Sequence, residues 1–413
     1  MSDARSAAQL AERIARESYG RLVASLAART RDLAAAEDAL SEAFAAALRV
    51  WPQTGPPDNP EGWLFAAARR KLIDGARRAQ TALAAQDALA RAAEEIEAEM
   101  SAAALPDRRL GLLFACAHPA IDEGARTPLM LQTILGVSAE RIAAAFLVEP
   151  AAMSQRLVRA KKRIRDAGIS FEIPEPAAWP ARIQAVQEAI YAAYTEGWSD
   201  AAGVDAARAG LTEEALWLAR ALAAHTPHDA ESLGLLALFL HLEARRPARR
   251  DAQGRYQPLD RQDVSLWRKD WIEEAEALLL RAAALRRVGR FQLEAAIQSA
   301  HARRRHGDDP DWRAIAAFYA ALIAISPSPV AQLNYCAAAA RSEGPSAALT
   351  LLDEAADRFP VLGEYQPFWA LRAHLCARTG ANAAARAAFD QAIARERDPA
   401  VIAYLREQRA QVC

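Results

Sequence analysis

"GVSAERIAAAFLVEPAAMSQRLVRAKKRIRDAG", residues 136–168, holds two helical patterns separated by a short interruption. Ser138 supplies an N-capping side chain for the first helix, with Arg141 where a capping box would carry Glu or Gln. Ile142 and Phe146 are the expected buried positions of that helix. Val148-Glu149-Pro150 makes the turn. Pro150 is acceptable in the first turn of the next helix, where its missing N–H would have no intrahelical partner anyway. In the second helix Met153, Leu157, Ala160 and Ile164 recur at i, i+4, i+7 and i+11, which makes one narrow apolar stripe. Gln155, Arg159 and Lys162 fall opposite the stripe, with Ser154, Arg156 and Arg163 flanking. Arg156, Arg159, Lys161, Lys162, Arg163 and Arg165 all lie in this helix, and no acid stands among them.

A charge run on a helix is most often a solvated face. Here the turn, the narrow stripe and the one-sided charge coincide. That is the layout of a helix-turn-helix, whose second helix offers Ser154, Gln155 and Arg156 to base edges and Arg159, Lys161, Lys162 and Arg163 to phosphates.

The surrounding chain confines any nucleic-acid signal to such local features. Its 413 residues carry 51 Lys+Arg against 52 Asp+Glu, a net charge of −1, so there is no global attractive field. Lys occurs only at 71, 161, 162 and 269. Abundant Ala and scarce β-branched alternation predict an all-α fold. Cys116, Cys336, Cys376 and Cys413 are scattered with no C-x-x-C, which argues against a disulfide framework and a zinc site and suits a reducing cytosol. No apolar run reaches the roughly 18 residues of a membrane span, and "MSDARSAAQLAER" is not a signal peptide. A soluble, cytoplasmic protein with no membrane association is expected.

Working outward, residues 1–80 are helical and end in a basic run. An Ala/Glu-rich linker follows at 81–107, then a compact helical block at 108–170. "SFEIPEPAAWPA" (170–181) reads as a boundary, because its prolines break every periodicity. Residues 182–413 are Ala/Leu-rich and helical. Within them "FWALRAHLCARTGANAAARAAFDQAIARERDP" (368–399) sets Trp369, Ala373, Cys376, Ala385, Phe389 and Ala392 near the spacing of a tetratricopeptide unit. Residues 327–356 read as the unit before it, turning at Gly344-Pro345. An irregular helical bundle remains the alternative for 182–320.

A second informative stretch is "AAEDALSEAFAAALRVWPQTGPPDNPEGWLFAAARRKLIDGARR" (35–78). Leu40, Phe44, Ala47 and Trp51 repeat the apolar stripe, and Glu37, Asp38, Ser41 and Glu42 read as an acidic exposed patch. Asn59 caps the next helix, with Pro60 at its first position and Leu64, Ala68 and Leu72 as its core row. Trp63, Arg70 and Arg77 share one face, with Arg69 and Arg78 nearby. An aromatic ring beside cations is what single-stranded DNA binding requires, although Trp63 taken alone reads as a core residue.

Together the two stretches resemble a bacterial sigma factor of the extracytoplasmic-function class, within the sigma-70 family. "AEDALSEAFAAALRVWP…DNPEGWLFAAARRKLIDGARR" resembles region 2, and residues 136–168 resemble region 4. "ARRPARRDAQGRY" and "ISPSPVAQLNYCAAAA" suit the subgroup with a C-terminal tetratricopeptide-like extension. The resemblance implies a region 2 domain at 1–80, a linker at 81–107, a region 4 helix-turn-helix domain at 108–170 and the extension at 182–413. It implies that Glu37, Asp38 and Glu42 bind core RNA polymerase. Asn59, Trp63, Arg69, Arg70, Arg77 and Arg78 would then bind the minus-ten element of promoter DNA. Ser154, Gln155, Arg156, Arg159, Lys161, Lys162 and Arg163 would bind the minus-thirty-five element. Two departures stand out: Ala151 and Ala152 are small where related factors often carry polar residues, and Arg70-Lys71 replaces a commoner Asn-containing run.

A helix-turn-helix regulator that never joins polymerase is the alternative, but it leaves "AEDALSEAF" and the Trp63 helix unexplained. An enzyme is not expected. "HTPH" (225–228) and "CAH" (116–118) lack a third ligand at supporting spacing, so no catalytic residue, metal or cofactor is assigned. The extension is expected to modulate activity and to meet a regulatory protein. Residues 245–271, with Trp267 and Trp271, read equally as that contact surface and as a long loop pinned by its tryptophans.

Overall fold

The computed structural model describes residues 2–79, 107–146, 148–198 and 210–412. Among these every regular element is helical, and extended pairing is limited to an isolated bridge between Arg250 and Tyr256. The all-α expectation holds. The chain divides into two compact units, Met1–Ala221 and Leu222–Cys413. The linker read at 81–107 lies, apart from Asp107, outside the described residues.

The first unit begins with α1 (Ser2–Thr30), α2 (Leu33–Thr54) and α3 (Pro60–Ala79). Asp32 caps α2, its Oδ1 accepting from the Ala35 N–H at 3.1 Å, and Gly55 ends that helix at φ +79°. Asn59 caps α3 through the Gly62 N–H at 2.9 Å, as the sequence predicts. There follow α4 (Arg109–Cys116), α5 (Glu123–Leu135), α6 (Ala139–Ala145), α7 (Pro150–Asp166) and α8 (Ile183–Trp198). α1 is the hub, packing against α2, α3, α4 and α5. Gly20 permits the close approach of α1 to α5: a Cβ there would fall 2.2 Å from the Ile134 carbonyl oxygen.

The first unit extends beyond the boundary read at 170–181. α8 lays Val186, Ala189, Ile190, Ala193 and Tyr194 into the core and packs on α5 and α4. Trp179 stacks on Phe114, ring centroids 6.5 Å apart, and its indole donates to the Pro174 carbonyl at 2.8 Å. Arg141 pairs with Glu196 at 2.7 Å. Arg109 is buried between Asp107 and Glu214, its guanidinium 3.7 Å from the centre of the Trp217 ring. The prolines interrupt periodicity there without ending the packing.

The second unit takes in the end of α9 (Leu211–His225), then α10 (Ala230–Arg245), α11 (Lys269–Ala284) and α12 (Arg290–Ala302). Beyond these lie α13 (Trp312–Ile325), α14 (Pro329–Ser342), α15 (Pro345–Arg358), α16 (Gln366–Arg378), α17 (Asn382–Arg395) and α18 (Pro399–Ala410). From α10 onward each helix packs on the next. α14 and α15 turn at Gly344, φ +102°, and α16 and α17 at Gly380, φ +80°. Ala373, Cys376, Ala385, Phe389 and Ala392 are all buried between their helices, while half-buried Trp369 touches two core clusters. Residues 245–271 are held down by Trp267, which is buried beneath Arg245, and reach α18 through Arg250 on Asp398 and Tyr256 edge-on to Tyr404. Among the described residues no helix is long and apolar enough to cross a membrane.

Candidate nucleic-acid interface

α6 and α7 stand on α5, which both helices contact. The Arg141 N–H meets Ser138 Oγ at 3.4 Å at the start of α6, and Ile142 is buried. Phe146 departs from expectation at 39% exposure, because α6 stops at Ala145 and the ring belongs to the turn. Glu149 caps α7, its carboxylate accepting from the Ala152 N–H at 3.0 Å. Met153, Leu157, Ala160 and Ile164 are the buried residues of α7, the stripe read from the sequence.

The other three faces of α7 differ from one another. One edge carries Arg156, Arg159 and Arg163, which line a cleft against residues 120–125. Arg156 donates to the Gly124 carbonyl at 3.4 Å and Arg163 to that of Ala120 at 3.3 Å. The opposite edge carries Ser154, Lys161 and Arg165. Ser154 turns back to the Pro150 carbonyl at 3.0 Å, as helix serines often do. Lys161 forms an ion pair with Glu37 of α2, and Arg165 one with Asp32 at 3.2 Å. Between the two edges an exposed outer column presents Ala151, Gln155, Val158 and Lys162, with Val158 at 66% exposure.

Glu37 is therefore not part of an exposed acidic patch. It is only 9% exposed, whereas Asp38 and Glu42 are exposed and Glu42 pairs with Lys71 at 3.0 Å. A carboxylate beside an apolar stripe reads as solvated from sequence, but Lys161 arrives from 124 residues away as its counter-charge. Burial raises the Glu37 pKa, and Lys161 pulls it the other way. Neighbouring Cys116 is pushed up to about 12 by its own burial.

In α3, Leu64 and Ala68 are fully buried and Leu72 half-buried. Trp63 is half-buried and meets Trp51 edge-on, ring centroids 5.6 Å apart. Arg70 is exposed, while Arg69 is buried at 9%. The side chains of Arg77 and Arg78 lie outside the described residues. At the start of α3, Glu61 accepts from Ser18 and pairs with Arg21, tying this helix to α1.

Residues 15–82 match sigma-70 region 2. The chain therefore carries a sigma-70 region 2 domain. That domain supports binding to core RNA polymerase and promoter DNA. Residues 182–283 match a family of unknown function, DUF6596. The chain is also 39% identical to an uncharacterized protein of Rhizobium meliloti (strain 1021), over 92% of this chain and 90% of that one. No solved structure matches it.

Proposed function

We propose that this sigma factor is of the extracytoplasmic-function class and reads promoters in the cytoplasm through two surfaces. α6 and α7 act as a region 4 helix-turn-helix on the minus-thirty-five element. The loop 52–59 and α3 capture the minus-ten element, with Trp63 and Arg70 on the side offered to DNA. The observation that carries the reading is the partition of α7: an apolar stripe fixed on α5, an arginine edge, and an uncovered outer column between them. That column, Ala151, Gln155, Val158 and Lys162, meets base edges, while Arg156, Arg159 and Arg163 meet phosphates. Exposed Asp38 and Glu42 remain available to polymerase. The helical pairs of the C-terminal unit act as a tetratricopeptide-like extension that modulates this activity. Mapping transcription start sites with the chain reconstituted on core polymerase tests the reading: a shared pair of upstream elements is expected, and starts without one would refute it.

Two substitutions separate the roles within the outer column. Gln155→Ala is expected to cost about 1–3 kcal/mol at the cognate site and little on a scrambled one, because a side-chain-to-base pair is lost. Lys162→Ala is expected to weaken both duplexes alike and to flatten the slope of log K against log salt by about 0.9. Titrations of the holoenzyme at several salt concentrations measure both. Equal losses on the two duplexes for Gln155→Ala would remove it from base reading.

A further inference from the structure

Along the outer column of α7 the side chains change in chemistry. Ala151 and Val158 are apolar, Gln155 is a neutral amide between them, and Lys162 closes the C-terminal end. All four are exposed, and among the described residues of the first unit no large apolar side chain is more exposed than Val158. A single exposed valine is ordinary on a protein surface. This one lies on the line between two cationic edges, where a duplex held by those edges presents its bases. At about 1.5 Å per residue, Ala151 to Val158 spans about 10 Å, or roughly three base-pair steps.

Readers of G·C pairs are missing from this span. Arginine is the usual partner of guanine, but Arg156 and Arg163 donate to the Gly124 and Ala120 carbonyls, and Arg159 lines the same cleft. On the other edge Lys161 and Arg165 are paired with Glu37 and Asp32 of α2. Lys162 stands a turn beyond Val158, away from the N-terminal part of the helix that meets base edges. A carboxylate would suit cytosine, and the column has none. What the span does offer matches A·T pairs. The Gln155 amide has one group to donate to adenine N7 and another to accept from its N6 amino group. Thymine alone sets a methyl group in the major groove, the one apolar partner there for Val158.

We propose that α7 reads an A·T step in the upstream promoter element, with Gln155 on an adenine and Val158 on the methyl group of a thymine in the neighbouring base pair. Ala151 and Ala152, one turn earlier, are exposed and small, and they let the groove come close to Gln155. This order of bases rests on the reading of α7 as the promoter-reading helix.

The test titrates the holoenzyme against labelled duplexes of the mapped promoter. Each thymine of the upstream element is replaced in turn by deoxyuridine, which removes only the methyl group, and each adenine by 7-deazaadenine, which removes only the N7 acceptor. At one thymine, deoxyuridine is expected to weaken the parent about fourfold, the effect of one buried methyl group. At an adenine of the adjacent pair, 7-deazaadenine is expected to weaken it about fivefold, the effect of one hydrogen bond. Val158→Ala, at an exposed position, leaves the fold intact and is expected to abolish the response to deoxyuridine while keeping that to 7-deazaadenine. Gln155→Ala is expected to do the reverse. The order of bases is wrong if no thymine responds, if the responding thymine and adenine are not in adjacent pairs, or if Val158→Ala responds as the parent does. In each of those cases a Gln155→Ala loss confined to the cognate duplex keeps the reading of α7. Equal Gln155→Ala losses on cognate and scrambled duplexes, with both scans silent, would sink the two together.

Discussion

A chain ended after Pro174 should lose the cooperative unfolding of its first unit, although the segment matched to sigma-70 region 2 and both α6 and α7 would still be present. Such a cut removes Trp179 from Phe114, Arg182 from the Phe114 carbonyl, and the whole of α8 from α5. Val186, Ile190 and Tyr194 alone are large side chains at 1% exposure or less. Burying each is worth roughly 1.5–3 kcal/mol, and the facing residues of α5 lose cover as well. The sum reaches or exceeds about 5 kcal/mol, against a total domain stability of about 5–15 kcal/mol. Glu196 and Glu214 also go, which leaves Arg141 without this partner and Arg109 with Asp107 alone of its two carboxylates. Thermal melts followed by circular dichroism should show a broad or absent transition for residues 1–174 and a sharp one for residues 1–221. Coincident sharp melts would show α8 to be dispensable. The expectation matters for function, because loss of transcription by the shorter fragment would report broken packing around α5, not the removal of a regulator.

What the sequence made legible was local. The stripe of α7 appears in the pattern because a helix lying on one neighbour buries one row, and Met153, Leu157, Ala160 and Ile164 are that row. The same holds for the Asn59 cap and for the turns at Gly344 and Gly380, where a few adjacent residues decide the backbone. What stayed hidden depends on partners distant in sequence. Glu37 has the periodicity of a surface acid and is buried because Lys161 meets it. Arg69 reads as a cation beside Trp63, yet α3 turns it inward. The Pro-rich stretch at 170–181 has the composition of a boundary, but Trp179 finds a stacking partner 65 residues earlier in Phe114. For α7, composition marked the helix, and only the packing of its edges showed that Ser154 turns back to the Pro150 carbonyl and Arg156 to the Gly124 carbonyl while Gln155 stays exposed.

Acid should destabilise the C-terminal unit through two histidines before its carboxylates matter. His241 and His301 are buried on α10 and α12, and burial together with Arg245 holds each pKa down to about 3. Arg305 adds to the effect on His241, and Arg304 to that on His301. A group whose folded pKa is depressed contributes its stability fully above the unfolded value, near 6.5, and loses it as pH falls toward the folded value. The window is therefore pH 6.5 down to about 3, and by pH 4 each ring forfeits on the order of 3 kcal/mol. Glu276 Oε1, 3.6 Å from His241 Nε2, offsets part of this as the ring charges. Among the described residues neither nitrogen of His241 has a hydrogen-bond partner, so an apolar side chain of similar volume loses no bond there. His241→Leu is accordingly expected to melt within a few degrees of the parent at pH 7.5 and clearly above it at pH 4.5, by several degrees for each kcal/mol retained. Calorimetry across that range measures the difference between the two chains, in which every other titrating group cancels. Parallel curves would mean that the ring takes up its proton in the folded chain as readily as in the unfolded one.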